Sequence, residues 1–465
     1  MSSSNNEPVP ESRLRALARA VNTGRYAGSA DEARYGPVET WDVSQIRDFS
    51  GTFADCAAFD ADLGAWDVSR ATTLKCMFSG ARAFRGRGLE RWRVGAAAAV
   101  TSLEGAFADC AAFDADLGAW DVSGTRSLRQ TFFCAGQFRG RGLERWDVGQ
   151  VEDISRAFCD AAAFDADLGA WNVSRVHSLQ GAFMGAEHFD GGLGGWDVSR
   201  VESLNFLFWG AKAFRGRGLE HWDTGNVRSM TYTFCGATVF DADLSGWRVG
   251  RVTSMLGLFS SARAFNAPIG RWDVGQVTDM ALMFSGARAF NQPLGEWNTS
   301  RVVTMSCMFR DARAFNHPLE SWDVGRATTL EQMFFGAVAF NQPLGRWRVG
   351  AVIDFSRMFC CAARFDQELG DWNVSRATTM VQMFCGAASF DRDLSRWDVS
   401  QVYSLQAMFR DALSFNRDLS RWDLRSARDL REMFARAVRF RQPVSDWRLH
   451  AEALTDDMLL DSGCR

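Results

Sequence analysis

Tryptophan lays a ruler along this chain. It stands at 41, 66, 92, 120, 146, 171, 196, 222, 247, 272, 297, 322, 347, 372, 397, 422 and 447, and only Trp209 falls off the pattern. Twelve of the sixteen intervals are 25 residues and the others are 26, 28, 26 and 26. A fixed period of this length means stacked repeats, so the usual prior of one domain per ~150 residues does not apply. Counting each repeat from its Trp as position 1, position 13 is Phe in every copy, from Phe53 to Phe434, and so is position 19, from Phe59 to Phe440. Those two columns hold 32 of the 37 phenylalanines. Rings that recur at one place in each turn predict a core of stacked aromatics.

Two periodicities alternate inside the unit. Positions 9, 12, 13 and 16, for example Met280, Met283, Phe284 and Ala287, carry the i, i+3, i+4, i+7 spacing of one helix face. Thr278 and Ser254 stand where a helix start wants a hydroxyl, and Gly286 where a helix stops. From position 23 the pattern becomes Leu-x-x-Trp-x-Val, as in Leu394, Trp397 and Val399, whose period of two predicts a short strand. The link between, Phe-Asn-Gln-Pro or Phe-Asp-Ala-Asp, is turn chemistry, with an Asn or Asp able to bond its own backbone.

The strand spacing matches that of leucine-rich repeats. The expected fold is therefore an α/β, right-handed, leucine-rich-repeat-like solenoid of about sixteen 25-residue turns. Each turn is expected to hold one short strand and one short helix. With the strands on the concave face, ~4.8 Å per turn gives a strip roughly 75 Å long. Residues 1–40 are expected to hold a disordered first ten residues and a helical cap at Glu11–Val21. The solenoid runs over 41–447, and 448–465, with the apolar stretch Leu454 to Leu460, forms a cap and tail. Residues 52–69 and 106–123 nearly duplicate each other, which points to growth by tandem duplication.

The run Met-Phe-x-x-Ala-x-x-Phe-Asn-x-Pro-Leu-x-x-Trp-Asp-Val-Ser-x-Val resembles the BspA-like leucine-rich-repeat surface proteins. These include the mycoplasma-type lipoprotein repeats of unknown function. The resemblance spans Trp41 to Trp447. It implies partner binding or adhesion, with a cell-surface adhesin or coat protein as the alternative to an interaction scaffold.

The most suggestive surface column is position 2, which a strand would point outward between buried Trp and Val. It is Asp at 42, 67, 121, 147, 197, 223, 273, 323, 398 and 423, so Asp42, Asp67, Asp121, Asp147, Asp197, Asp223, Asp273, Asp323, Asp398 and Asp423 are candidate partner-binding residues. Arg93, Arg248, Arg348 and Arg448 interrupt it, with Asn172, Asn298 and Asn373. Stacked like charges repel, and Arg145, Arg271, Arg396 and Arg421 at position 25 are expected to offset Asp147, Asp273, Asp398 and Asp423. The column either holds turn geometry or docks a basic or zwitterionic partner.

A second ladder alternates in sign. Asp60-Ala-Asp62, Arg85-Gly-Arg87, Asp114-Ala-Asp116, Arg139-Gly-Arg141 and Asp165-Ala-Asp167 follow one another in successive turns. Paired acids invite calcium, but a basic turn beside each acidic one fits inter-turn ion pairing better. The Arg-Gly-Arg-Gly links at Arg85, Arg139 and Arg215 are too short and isolated to read as an RNA-binding tract, and their extra residue reads as a bulge. With 52 basic against 56 acidic residues there is no field to draw in nucleic acid. The Trp-Asp dipeptides suggest a propeller, but those blades repeat every ~40 to 45 residues.

Catalysis has no motif to stand on. His177, His188, His221, His317 and His450 occupy unrelated repeat positions, and neither a phosphate loop nor a nucleophile elbow is present. No enzyme activity, cofactor or metal is expected. Eleven cysteines, an odd number, argue against a disulfide framework. Cys360 and Cys385 stack and are able to pair, but read better as buried filler. No apolar run of signal-peptide or membrane-spanning length occurs, so a cytoplasmic address is expected by default, with surface display open through the family resemblance. The expected reading is a non-catalytic scaffold for a protein partner of unknown identity, monomeric by default.

Overall fold

The computed structural model describes residues 7–464. The chain divides into two compact units, Met1–Val227 and Arg228–Arg465.

The first unit opens with two helices. The helix α1, Glu11–Asn22, buries Leu14, Leu17 and Ala18. The helix α2, Ala30–Tyr35, is capped by the Ser29 hydroxyl, which accepts from the Glu32 amide. The N-terminal cap is therefore helical, as its amphipathic spacing indicates. The disorder expected of the first ten residues is not found at Glu7–Pro10. There the Val9 amide bonds the Asp42 carbonyl at 2.9 Å and Glu7 pairs with Arg34 at 2.6 Å. The residues before Glu7 lie outside the described residues.

Beyond α2 the expected helix in each repeat does not form. Among the described residues no α-helix follows Tyr35, and only short 3-10 turns occur, at Val38–Thr40, Leu89–Arg91, Leu143–Arg145 and Leu219–His221. Two successive tight turns replace it. In the repeat of Trp272 the Met283 amide bonds the Met280 carbonyl at 3.2 Å and the Ala287 amide bonds that of Phe284 at 3.0 Å, both three residues back. The third residue of each turn is left-handed, Leu282 at φ 59° and Gly286 at φ 71°. Amides between these donors point out of the repeat. Met280, Leu282, Phe284 and Gly286 donate to Thr304, Ser306, Met308 and Arg310 of the next turn, at 3.1, 2.9, 2.9 and 2.6 Å. An α-helix spends its donors within itself, whereas this arrangement leaves alternate ones to tie turn to turn.

The expected strand at Leu-x-x-Trp-x-Val is also displaced. Its two ends are turns, with Trp272 bonding Ile269 at 3.1 Å and Val277 bonding Val274 at 2.9 Å. The parallel pairing falls at position 8 instead. It runs Asp48, Thr73, Ser102, Ser127, Asp153, Ser178 in the first unit and Ser229, Ser254, Asp279, Thr304 onward to Leu454 in the second. Alternate burial still holds across the Trp segment, with Trp272 and Val274 inside and Asp273 outside. The fold of each unit is a repeat solenoid built from turns.

Its interior is the ring stack that the Trp and Phe columns require. Phe284 and Phe290 are fully buried, and Trp272 is 4% exposed. Trp372 and Trp397 stack at 6.4 Å and 1°. Phe359 and Phe384 stack at 5.6 Å, and Phe384 touches Phe390 of its own turn at 4.0 Å. Rings in offset contact at this range add to the area they bury. Indole N–H groups along the stack reach the carbonyl of the position-23 residue one turn back, as Trp272 does to Leu244 at 3.0 Å and Trp171 to Leu143 at 2.8 Å. At the two ends Trp41 donates to the Tyr26 hydroxyl at 2.7 Å, and the Trp447 ring nitrogen is buried without a partner among the described residues. Inside the stack the polar atom of the largest buried side chain is thus satisfied by the neighbouring turn.

At the C-terminal end the expected cap is one more set of turns. Leu430 donates to Leu454 at 2.8 Å and Phe434 to Met458 at 2.8 Å. Leu454 and Leu460 are about half exposed.

Candidate interaction surface

The position-2 column lies on the surface, each Asp fixed by its own backbone. One carboxylate oxygen accepts the amide two residues on, as Asp67 does from Ser69 at 3.0 Å, Asp197 from Ser199 at 3.0 Å and Asp323 from Gly325 at 2.9 Å. The same bond is made by Asp42, Asp121, Asp147, Asp223, Asp273, Asp398 and Asp423. Asn172, Asn298 and Asn373 make it too. Both residue types supply an oxygen that closes the turn, whereas Arg93, Arg248, Arg348 and Arg448 hold the same position without one. The Ser123 hydroxyl and amide hold the Asp121 carboxyl below its usual range, and Arg425 with its own amide takes Asp423 down to about 2.

The arginines expected to offset this column pair elsewhere. Arg145 lies 3.5 Å from Glu144, Arg396 lies 3.1 Å from Asp371, and Asp423 is taken by Arg425 at 2.5 Å. Position 25 sits inside a turn, so its side chain runs along the turn edge, to its own neighbour in the case of Arg145 and to its counterpart one repeat back in the case of Arg396, rather than across Trp to position 2. That edge is indented. Arg271 lines an open groove of about 650 Å³ in the second unit with Pro268, Pro293, Pro318 and Glu296. Arg396 borders a recess of about 380 Å³ with Glu320, Arg346, Glu368 and Asp371. In the first unit Asp67 borders another of about 470 Å³ with Arg91 and Arg93. The Pro-lined groove escaped the sequence reading. Its signal was present, since Pro268, Pro293 and Pro318 share position 22 of consecutive repeats.

The alternating ladder at positions 20 to 22 is inter-turn pairing, as its sign pattern indicates. Arg87 meets Asp60 at 2.9 Å, Arg141 meets Asp114 at 3.1 Å, and Arg215 and Arg217 meet Asp190 at 2.7 and 3.1 Å. Each exposed pair contributes about 0 to 1 kcal/mol. The second Asp of the Phe-Asp-Ala-Asp link accepts its own backbone amide two residues on, as Asp62 does from Gly64 and Asp116 from Gly118, both at 2.9 Å, while the Asn or Asp that follows Phe bonds the next turn. Its oxygen accepts the amide of the same position one turn on, in a ladder from Asn266 through Asn291, Asn316 and Asn341 at 2.8 to 2.9 Å. The Arg-Gly-Arg-Gly links are close-packed rather than bulged. A Cβ on Gly88, at φ 89°, would stand 2.2 Å from the Gly64 nitrogen, and one on Gly86 would stand 2.5 Å from the Phe113 ring.

Among the described residues no group of three or more His, Cys, Asp or Glu side chains is arranged to hold a metal ion. All eleven cysteines are free, Cys360 and Cys385 included. No helix among the described residues is long and apolar enough to cross a membrane.

Comparison with solved structures finds leucine-rich-repeat and receptor proteins at low likeness. A TLR13–ssRNA13 complex is matched at 11% identity and TM-score 0.20, over 67% of this chain and 50% of that one. The chain thus spans half the length of that protein. A leucine-rich-repeat protein from Bacteroides ovatus is matched at 8% identity and TM-score 0.22, over 60% of this chain and 85% of that one. One from Leptospira interrogans is matched at 7% identity and TM-score 0.19, over 92% and 93%. No curated protein matches the chain significantly. The model of the family described as "Mycoplasma protein of unknown function, DUF285" matches six overlapping segments, residues 30–102, 101–219, 177–294, 213–317, 267–371 and 353–463. These segments follow the repeats almost end to end, in keeping with the resemblance carried by the Met-Phe to Trp-Asp-Val-Ser motif, and the chain belongs to the DUF285 family.

Proposed function

We propose that this protein is a non-catalytic interaction scaffold whose exposed columns at positions 2 and 25 dock a basic or zwitterionic polypeptide. One observation carries the reading: the interior of each unit is filled by rings, while the exterior repeats the same anchored carboxylate turn after turn. The turn uses one oxygen of each Asp and keeps the carboxylate at the surface, where Asp423 also pairs with Arg425. In the first unit the docking strip comprises Asp42, Asp67, Asp121, Asp147, Asp197 and Asp223, interrupted by Arg93, so a basic segment fits it. In the second, Asp273, Asp323, Asp398 and Asp423 alternate with Arg248 and Arg348 and lie near Arg271, Arg396 and Arg421, so the fitting partner carries both signs.

The test exploits the tolerance of position 2 for Asn. Changing Asp42, Asp67, Asp121, Asp147 and Asp197 together to Asn removes charge and keeps the turn-closing oxygen. Binding of lysine–glycine peptides of increasing length is then measured by fluorescence anisotropy at several salt concentrations. The intact protein should bind longer peptides more tightly, with affinity falling as salt rises. The Asn variant should lose most of that affinity while circular dichroism shows the fold kept. Equal binding by the two proteins would remove the column from the function.

A further inference from the structure

Three of the free cysteines meet in the second unit. Cys360 and Cys361 lie in one turn and Cys385 in the next. The bonds from Phe359 to Met383 at 2.9 Å and from Cys361 to Cys385 at 2.7 Å bracket Cys360 and hold it beside Cys385, its counterpart one repeat on. Parallel backbones in register stand ~4.8 Å apart, inside the ~4.4 to 6.8 Å Cα range a disulfide spans.

The three side chains differ in access. Cys360 is buried and Cys361 exposed, yet their sulfurs are only 3.8 Å apart. Cys361 is left-handed, at φ 59°, which turns its thiol over Gly386, where a Cβ would stand 3.3 Å from the sulfur. The Cys360 and Cys361 sulfurs are in hydrogen-bond contact, and Cys360, the more buried of the two, is the one that keeps its proton. Hydrogen bonding with Cys360 brings the Cys361 thiol down to about 7 and lowers Cys385 as well, while it pushes Cys360 up. An exposed thiolate beside a protonated, shielded thiol is the arrangement of a site that oxidises reversibly.

We propose that Cys360, Cys361 and Cys385 form an oxidation site for small hydroperoxides, which joins the two turns through a Cys360–Cys385 disulfide. The Cys361 thiolate attacks the terminal peroxide oxygen; the O–O bond breaks, the leaving alkoxide takes a proton to become the alcohol, and Cys361 becomes a sulfenic acid. The Cys385 thiolate takes the Cys360 proton as the Cys360 sulfur attacks the Cys361 sulfur, and the departing hydroxide takes that proton from Cys385 as water, so Cys385 is a thiolate again. The resulting bond joins neighbours whose Cα atoms are ~3.8 Å apart, too close for a relaxed disulfide. The Cys385 thiolate therefore displaces Cys361 from Cys360, and Cys361 is returned as thiolate. In sum, two thiols and one hydroperoxide give one disulfide, one alcohol and one water.

The experiment treats the full chain with hydrogen peroxide at pH 7, traps sulfenic acid with dimedone, and maps thiols and disulfides by peptide mass spectrometry. Cys361 should react about tenfold faster than the half-exposed Cys76 and Cys307, with a rate midpoint near pH 7. The end product should be the Cys360–Cys385 disulfide. Cys360→Ser should accumulate dimedone-labelled Cys361 and form no such bond, and Cys385→Ser should stop at the Cys360–Cys361 stage. Far-ultraviolet circular dichroism of each variant separates misfolding from lost chemistry, and peroxide mapping of the wild type needs no variant at all. Cys361 reactivity no greater than that of Cys76, or disulfides that join other cysteines, would overturn the proposal.

Discussion

At the level of single residues, burial and backbone angle decide what each repeat position tolerates. Phe284 is fully buried between Phe259 and Phe309, at 5.8 and 5.5 Å. Truncation to Ala should cost about 3 to 5 kcal/mol in urea unfolding, against under about 1 for Asp273→Ala on the surface. Leu282 holds a left-handed φ of 59°, which an L side chain resists by about 1 to 2 kcal/mol. Leu282→Gly should therefore be neutral or stabilising, whereas Ser285→Gly, at a position without positive φ, should cost about 0.5 to 1 kcal/mol. Burial raises the Asp279 carboxyl above its usual 3.8, with the Ala281 amide opposing. The folded state then holds that proton more tightly than the unfolded one, so its contribution is unfavourable at neutral pH. Asp279→Asn should keep the amide contact and raise the urea midpoint at pH 7 but not at pH 3.

The repeat as an element shows what its residues disclosed and what they hid. The period and the inward Trp and Phe columns were legible because burial leaves a mark at every copy. The helix was not, because two consecutive four-residue turns place positions 9, 12, 13 and 16 on one side, as a helix does. The discriminating sign was at positions 11 and 15. Gly181, Gly257, Gly286 and Gly386 fall on these two columns, together with Asp311, Asp411 and Cys361, all at positive φ. Repeated Gly and Asp at a four-residue spacing suit left-handed turns and not helix interiors. The site was legible in part: position 2 does face out, but the destinations of Arg145 and Arg396 depended on a turn at position 25 that period-two reading concealed. The Asn ladder gives a test at this level. Asn291→Ala removes the acceptor of the Asn316 amide at 2.9 Å and should cost about 1 kcal/mol, while Asn291→Asp should be close to neutral, since Asp366 serves as acceptor in the same column.

For the whole molecule, many small carboxylate contacts set the acid limit. Ser123, Ser395 and Ser420 lower Asp121, Asp393 and Asp418, and Arg425 and Arg431 lower Asp423 and Asp429, from a usual value of 3.8. A depressed carboxyl contributes stability above its unfolded value and loses it as pH falls through the folded value. Melting temperature should therefore hold near neutrality and fall between pH 4 and about 2, the value Asp423 reaches, and added salt should shrink the effect at exposed pairs. The indole N–H that reaches one turn back within the stack has a further consequence. Between the two end copies, each copy supplies the acceptor its successor needs, so a gene encoding such an array gains or loses whole inner copies without inventing a new kind of contact. An insertion or deletion of half a copy would orphan a ring nitrogen at its junction, which makes the tryptophan spacing a proofreader of the array's own length changes.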